Sequence, residues 1–219
     1  MPTFESTCWT VIRAAAAGRS AEREELARRY KDVVRAYLAA RWRSSNLRSE
    51  IDDAVQEVFV ECFRQGGMLD AVGAGRVPSF RAFLYGVVRN IARRFEARPV
   101  RTSSPIADLE SEDNLSRLFD RTWAQAIMAE SAQLQSRRAR ELGPEAERRV
   151  DLLRLRFEES LPIRTIAERW RVDTAQLHHD YAQARKEFRA ALLEIVAFHC
   201  PGTPAEVEQE ATGLLKSLS

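Results

Sequence analysis

Apolar residues recur every three to four positions over most of this chain, and no stretch alternates in the manner of a half-buried strand. The period predicts a first short helix over residues 7–17, stopping at Gly18, where a left-handed cap suits glycine. Ser20 is placed to cap a longer second helix with Leu26, Tyr30, Val33, Tyr37 and Leu38 on one face. A third begins near Ser49, carries Ile51, Val55, Val58, Phe59 and Cys62, and ends at Gly66-Gly67. A fourth runs from Phe80 to about Arg98, burying Phe80, Leu84, Val87, Ile91 and Phe95, and Pro99 closes it.

Residues 99–114 hold Pro105, several serines and few apolar side chains, which makes them the best linker in the chain. Helical periodicity resumes with Leu115, Leu118, Phe119, Trp123 and Ile127, and Gly143-Pro144 breaks it. A helix with Val150, Leu153 and Phe157 follows, then two closely spaced helices over 162–188. Pro201-Gly202 interrupts the chain before a last short helix, where Thr203, Pro204 and Glu206 form a capping box with proline at the first helical position. The expectation is an all-α protein of two small helical domains joined by a flexible acidic linker. The boundaries are residues 1–98, a linker over 99–114, a second domain over 115–198 containing a helix-turn-helix, and a helical tail over 199–219.

Charge changes this picture through its distribution. The 34 basic and 32 acidic residues nearly cancel, to a net +2. Between Arg81 and Arg101, however, six arginines face the single Glu96, and Asp108, Glu110, Glu112 and Asp113 then reverse the sign. Local charge of this kind suggests a nucleic-acid-facing surface beside an acidic strap, although either cluster taken alone is also what a solvated face looks like. The 3 cysteines, Cys8, Cys62 and Cys200, are far apart and fit reduced thiols. With no apolar run near the roughly 20 residues of a membrane span and no signal-peptide pattern at the N-terminus, a cytoplasmic protein without membrane insertion is expected.

Three constellations carry candidate chemistry. On the third helix Glu50, Asp53, Glu57 and Glu61 recur at helical spacing, with Asp52 and Gln56 beside them. DNA would repel that stripe, so it points to a basic protein partner, with a solvated face as the alternative. On the fourth helix Arg89, Asn90, Arg93 and Arg94 cluster on one side, with Phe83 and Tyr85 near its start. Arginines hold phosphates and aromatic rings stack on unpaired bases, so this reads as a single-strand platform, though the rings are equally suited to the core. In the third, Ile163, Ile166, Ala167 and Trp170 face inward from one helix, and Val172 sits in the turn. Asp173 caps the next helix with Gln176 completing the box, and Leu177, Tyr181, Ala184 and Phe188 form its buried stripe. Thr174, Ala175, Gln176, His178 and His179 are left exposed where a recognition helix meets the major groove, and Arg185 and Lys186 extend the positive charge toward phosphates. A helical hairpin with no DNA role has the same pattern.

In this order the three constellations resemble an extracytoplasmic-function sigma factor, a branch of the sigma-70 family of bacterial transcription-initiation factors. Asp52-Asp53-Ala54-Val55-Gln56-Glu57-Val58-Phe59 is similar to the family's acidic helix, which docks on the clamp helices of core RNA polymerase. Phe80-Arg81-Ala82-Phe83-Leu84-Tyr85 through Arg93-Arg94 resembles the segment that recognises and melts the minus-ten element. Residues 152–192, including Ile163-Arg164-Thr165-Ile166-Ala167-Glu168-Arg169-Trp170, resemble the domain that reads the minus-thirty-five element as duplex. The likeness covers roughly residues 20–98 and 145–195. Trp9-Thr10-Val11-Ile12 and the segment Leu118 to Trp123 resemble those of one subgroup with a short helical tail.

The resemblance implies a polymerase-docking set of Glu50, Asp52, Asp53, Gln56 and Glu57. It implies minus-ten contacts by Phe83, Tyr85, Arg89, Asn90, Arg93 and Arg94, with a base pocket in the loop from Gly66 to Ser79. Minus-thirty-five contacts fall to Thr174, Gln176, His178, His179, Arg185 and Lys186. The partners are core polymerase, promoter DNA as duplex and single strand, and an anti-sigma factor or other inhibitor. No cofactor, metal or catalytic residue is implied. Arg171 stands where the family usually has glycine, at a position that wants a left-handed backbone, and His178 and Asp180 stand where it usually has basic residues. Two other readings remain: a helix-turn-helix regulator that never touches polymerase, and a sigma-like interaction module. A zinc role is the least favoured, because His178, His179, His199 and Cys200 lack a second nearby cysteine. An enzyme has no support, since no nucleophile–base pair or phosphate-binding loop occurs.

Overall fold

Glycine, proline and capping residues punctuate the chain into the helices that the apolar period fills. The computed structural model describes residues 8–64, 79–98 and 111–218, and all regular structure among them is helical. In chain order the helices are α1 (Cys8–Ala16), α2 (Ser20–Arg41), a 3-10 turn (Asn46–Glu50), α3 (Ile51–Cys62) and α4 (Phe80–Glu96). Then come α5 (Glu112–Leu142), α6 (Pro144–Phe157), α7 (Ile163–Trp170), α8 (Thr174–His199) and α9 (Pro204–Lys216). Gly18 and Gly143 both take positive φ, near 98° and 99°, the first ending α1 and the second letting Pro144 start α6. Thr203 and Glu206 close the expected capping box on α9. Two starts differ from expectation. Arg19 rather than Ser20 occupies the cap of α2, and Ser45 accepts from the Leu47 amide to set a 3-10 turn ahead of α3. None of the described helices is long and apolar enough to cross a membrane.

Packing divides the chain into two compact units, Met1–Ala126 with Val196–Ser219, and Ile127–Ile195. The division falls inside α5 and α8, whereas the sequence pattern suggested a linker over 99–114. Residues 99–110 lie outside the described residues, as do the loop 65–78 and the side chain of Trp9. Glu112 and Asp113, expected at the end of that linker, form the first turn of α5, where acidic side chains favour the helix dipole.

In the first unit α1 packs on α2, α2 on α3, and both α2 and α3 on α4. The expected apolar faces are buried: Leu26, Tyr30, Val33, Tyr37 and Leu38 of α2, and Phe80, Leu84, Val87, Ile91 and Phe95 of α4. Each such side chain withdrawn from water contributes about 1.5–3 kcal/mol. Leu115, Phe119 and Trp123 of α5 belong to this core, with Trp123 stacked on Tyr30 at 5.3 Å between centroids and 5.9 Å from Phe80. His199 is buried edge-on to Trp123, and the Tyr30 hydroxyl shares a hydrogen bond with its Nε2.

The second unit is built on Leu152, Leu155, Ile163, Ile166, Ala167 and Leu177, with Leu161, Trp170, Val172 and Tyr181 packed around them. Phe157, expected in this core, is 67 % exposed instead. Leu152 and Leu155 face inward from α6, and Phe157 lies on the far side of the helix in its last turn. Gln135 donates its Nε2 to the Ala184 carbonyl at 3.1 Å, tying α5 to the middle of α8.

Candidate functional site

The turn between α7 and α8 is the most sharply built feature of the second unit. Arg171 is left-handed, at φ 54° and ψ 49°, as the resemblance implied. Its amide donates to the Glu168 carbonyl at 3.2 Å, and the Val172 amide to the Ala167 carbonyl at 3.1 Å. That pair of bonds is the Schellman pattern, and Val172 turns in against the core that contains Ala167. Asp173 then caps α8, its Oδ2 accepting from the Gln176 amide at 2.9 Å. The Gln176 side chain does not return to complete a capping box. It donates Nε2 to Asp180 Oδ1 at 3.0 Å, one turn along.

Thr174, Ala175, Gln176, His178 and His179 are all exposed on the first turns of α8, and Arg185 and Lys186 are exposed further along. The Arg185 guanidinium lies 5.8 Å from the Tyr181 ring centroid. One contact from α6 holds α8 and a second holds α7. Arg149 makes a bidentate pair with Glu187, with bonds of 2.8, 3.0 and 3.2 Å, and the Arg148 guanidinium covers the Trp170 ring at 4.8 Å. Hydrogen bonding to Glu187 outweighs burial and holds Arg149 above its ordinary basicity.

In the first unit the acidic and basic side chains expected on α3 and α4 are brought together rather than held apart. On α3, Asp52, Asp53 and Gln56 are exposed, Asp52 is paired with Arg35, and Glu50 sits half-buried in the preceding 3-10 turn. Glu57 is half-buried and paired with Arg94 at 2.8 Å and Arg98 at 3.2 Å, and Glu61 lies 3.8 Å from Arg94. The arginines expected in one cluster therefore fall on two stripes of α4. Asn90, Arg94 and Arg98 share one, and Asn90 is exposed there. Arg81, Tyr85, Arg89 and Arg93 share the other, at i, i+4, i+8 and i+12.

That second stripe meets α5. Arg81 is paired with Asp120, and the Tyr85 ring lies 5.1 Å from Phe119. Arg89 Nε is 3.1 Å from Glu112 Oε2, and Arg93 is 3.9 Å from Glu112 Oε1. The expected ring platform is thus not open. Phe83 is 1 % exposed and packs on Phe80, and Tyr85 is held between Tyr37 and Phe119.

Glu112 also accepts from Arg41 at 2.8 Å. Arg41 is 7 % exposed and makes a bidentate pair with Glu96, with bonds of 2.7 and 3.0 Å, while Trp42 Nε1 donates to the same carboxylate at 2.9 Å. The hydrogen bonding that Arg41 donates to Glu96 is the largest influence raising Arg41 above its ordinary basicity. Burial pushes the Tyr37 hydroxyl up to about 12, although Arg41 opposes it. Burial tends to raise Glu112, but the Arg41 bond and the charges of Arg41, Arg89 and Arg93 hold its carboxyl below the usual range. The sequence reading missed Arg41, Glu96 and Asp120, whose partners lie on other helices. Arg81 was within reach, since it continues the four-residue spacing of Arg89 and Arg93. No family model matches the chain, and no curated protein matches it.

Proposed function

We propose that this chain is an extracytoplasmic-function type sigma factor, which binds core RNA polymerase and directs promoter recognition, melting and transcription initiation. It would do so from the cytoplasm as two functional domains, the second a DNA-reading helix-turn-helix. The observation that carries the reading is the second unit's α7–α8 pair. A left-handed turn and an Asp173 cap leave the first turns of α8 exposed, with Thr174, Gln176, His178 and His179 outward. Side chains there reach base edges when such a helix enters a major groove, and Arg185 and Lys186 meet phosphates. Exposed Asp52, Asp53 and Gln56 on α3 supply the polymerase-facing acidic surface, and the α4 arginines supply the minus-ten contacts.

A stand-alone helix-turn-helix regulator is the second reading. It is favoured by the internal pairing of Glu57 with Arg94 and Arg98, which occupies charges that polymerase and promoter would otherwise meet. Co-elution with bacterial core polymerase separates the two. Wild type is expected to bind and to support promoter-dependent transcription, and the Asp52→Arg, Asp53→Arg double variant to do neither. Sequence-specific duplex binding without polymerase binding would leave the regulator standing and remove the sigma reading.

A further inference from the structure

Three features of α4 and α5 belong together. Arg81, Tyr85, Arg89 and Arg93 form one continuous stripe along α4, and the opening turns of α5 lie against all of it. The contacts run in opposite senses, with Asp120 and Phe119 at the start of α4 and Glu112 toward its end. What α5 presents is a carboxylate, an aromatic ring and a second carboxylate. Those are the chemical groups by which a single strand meets a protein: anionic phosphates for arginines, and a flat ring for a tyrosine.

The fit between α5 and the stripe is incomplete. Among the described residues Arg81 Nε, Arg89 Nε and Glu112 Oε2 are buried without a hydrogen-bond partner, although Arg89 Nε and Glu112 Oε2 are only 3.1 Å apart. Their charges are close enough to attract, but the N–H does not point at the oxygen. A buried guanidinium N–H without an acceptor is costly, and a phosphate oxygen free to find its own place would satisfy it.

We propose that the Arg81–Tyr85–Arg89–Arg93 stripe is a binding surface for single-stranded nucleic acid, with Arg81 as a contact residue, and that the start of α5 is its resident competitor. The proposal rests on the promoter-melting reading above and adds its control: α5 must leave the stripe before a strand can take it. Glu112 and Asp120 hold the phosphate positions and Phe119 the stacking position until then. Phe83 has no part in the surface.

The test is fluorescence anisotropy of the full chain with a labelled single-stranded DNA of about twelve nucleotides. Glu112→Gln with Asp120→Asn keeps both side-chain shapes and removes both charges. This variant is expected to bind about three- to tenfold tighter than wild type, the change that removing two partly exposed carboxylate charges can supply. Adding Arg81→Ala is expected to remove most of that gain. In the unaltered chain, amide exchange over residues 112–123 is expected to accelerate when the oligonucleotide is added, a readout independent of how the variants fold. Equal affinity of wild type and variant, a gain that survives Arg81→Ala, absence of single-strand binding by the variant, or unchanged exchange over 112–123 overturns the proposal. The sigma reading fails separately, by the loss of core polymerase co-elution, which none of these arms measures.

Discussion

Arg171 holds a backbone conformation that an L side chain other than glycine, asparagine or aspartate enters at a cost of about 1 kcal/mol. The surrounding turn over-determines it: the two bonds from the Arg171 and Val172 amides and the inward Val172 side chain all require that φ. Arg171→Gly is therefore expected to stabilise the protein by about 0.5–1 kcal/mol, less than the full strain because glycine also gains freedom in the unfolded chain. The check is the midpoint of urea unfolding, and a lower midpoint for the glycine variant refutes it. One helix later, Asp180 has a role that its charge alone does not suggest. A carboxylate can only accept, so the Gln176 amide must turn its nitrogen toward Asp180, leaving its oxygen and second N–H outward. That donor–acceptor pair matches the major-groove edge of adenine. If α8 reads duplex DNA as proposed, Asp180→Ala should reduce the preference for adenine at one position by about threefold or more, with non-specific affinity unchanged or raised. Selection from a randomised duplex pool measures this. An unaltered base preference would show that Asp180 does not orient Gln176.

At the scale of elements, α8 owes its attitude to contacts well behind its exposed turns. Glu187 receives Arg149 in a bidentate pair and also the Gln183 amide at 3.0 Å. Its loss strands a half-buried guanidinium. Glu187→Ala is expected to cost about 1–2 kcal/mol of unfolding free energy, and Leu177→Ala, at the base of the same helix, about 2–5 kcal/mol. The contrast is informative, because only the first should leave the compactness of the second unit intact by near-ultraviolet circular dichroism. The helices themselves were legible from the apolar period and from glycine and proline, since both act within a few residues of where they stand. So were the Asp173 cap and the Thr203–Glu206 box, whereas the left-handed turn at Arg171 was implied only by the resemblance to a family that usually has glycine there. The arginine surface was not. Helical spacing alone put Arg89, Asn90, Arg93 and Arg94 on one side, yet Arg93 faces Glu112 and its neighbour Arg94 faces Glu57. One residue turns a helix by about 100°, and only the positions of α3 and α5 decide which stripe meets which partner. Leu115, Phe119 and Trp123 show the same limit. Their spacing announced a helix, but nothing local said that it would share a core with Tyr30, Tyr37 and Phe80.

The whole molecule carries nearly equal numbers of acidic and basic residues, and in the first unit much of that balance is spent internally. Three of these pairs converge on Glu112, from Arg41, Arg89 and Arg93. Burial by itself raises its pKa, but the Arg41 hydrogen bond and the three positive charges outweigh that and lower it. The folded chain therefore binds this proton more weakly than the unfolded chain. Its stabilising contribution is complete above the ordinary glutamate range and is lost as the pH falls through its lowered folded value. Glu25 follows the same sign, held low by hydrogen bonds from Arg28 and Arg29 against the opposing effect of burial, so Glu112 is not alone in that window. Between about pH 5 and about pH 3 wild type should lose stability, and Glu112→Gln should lose less of it without becoming flat. The Glu112 side chain is 40 % exposed, so solvent screening keeps the difference below about 1 kcal/mol. Urea midpoints across that range measure it. Parallel pH profiles for the two proteins would mean that Glu112 is equally protonated folded and unfolded, and that the arginines around it do not hold its charge.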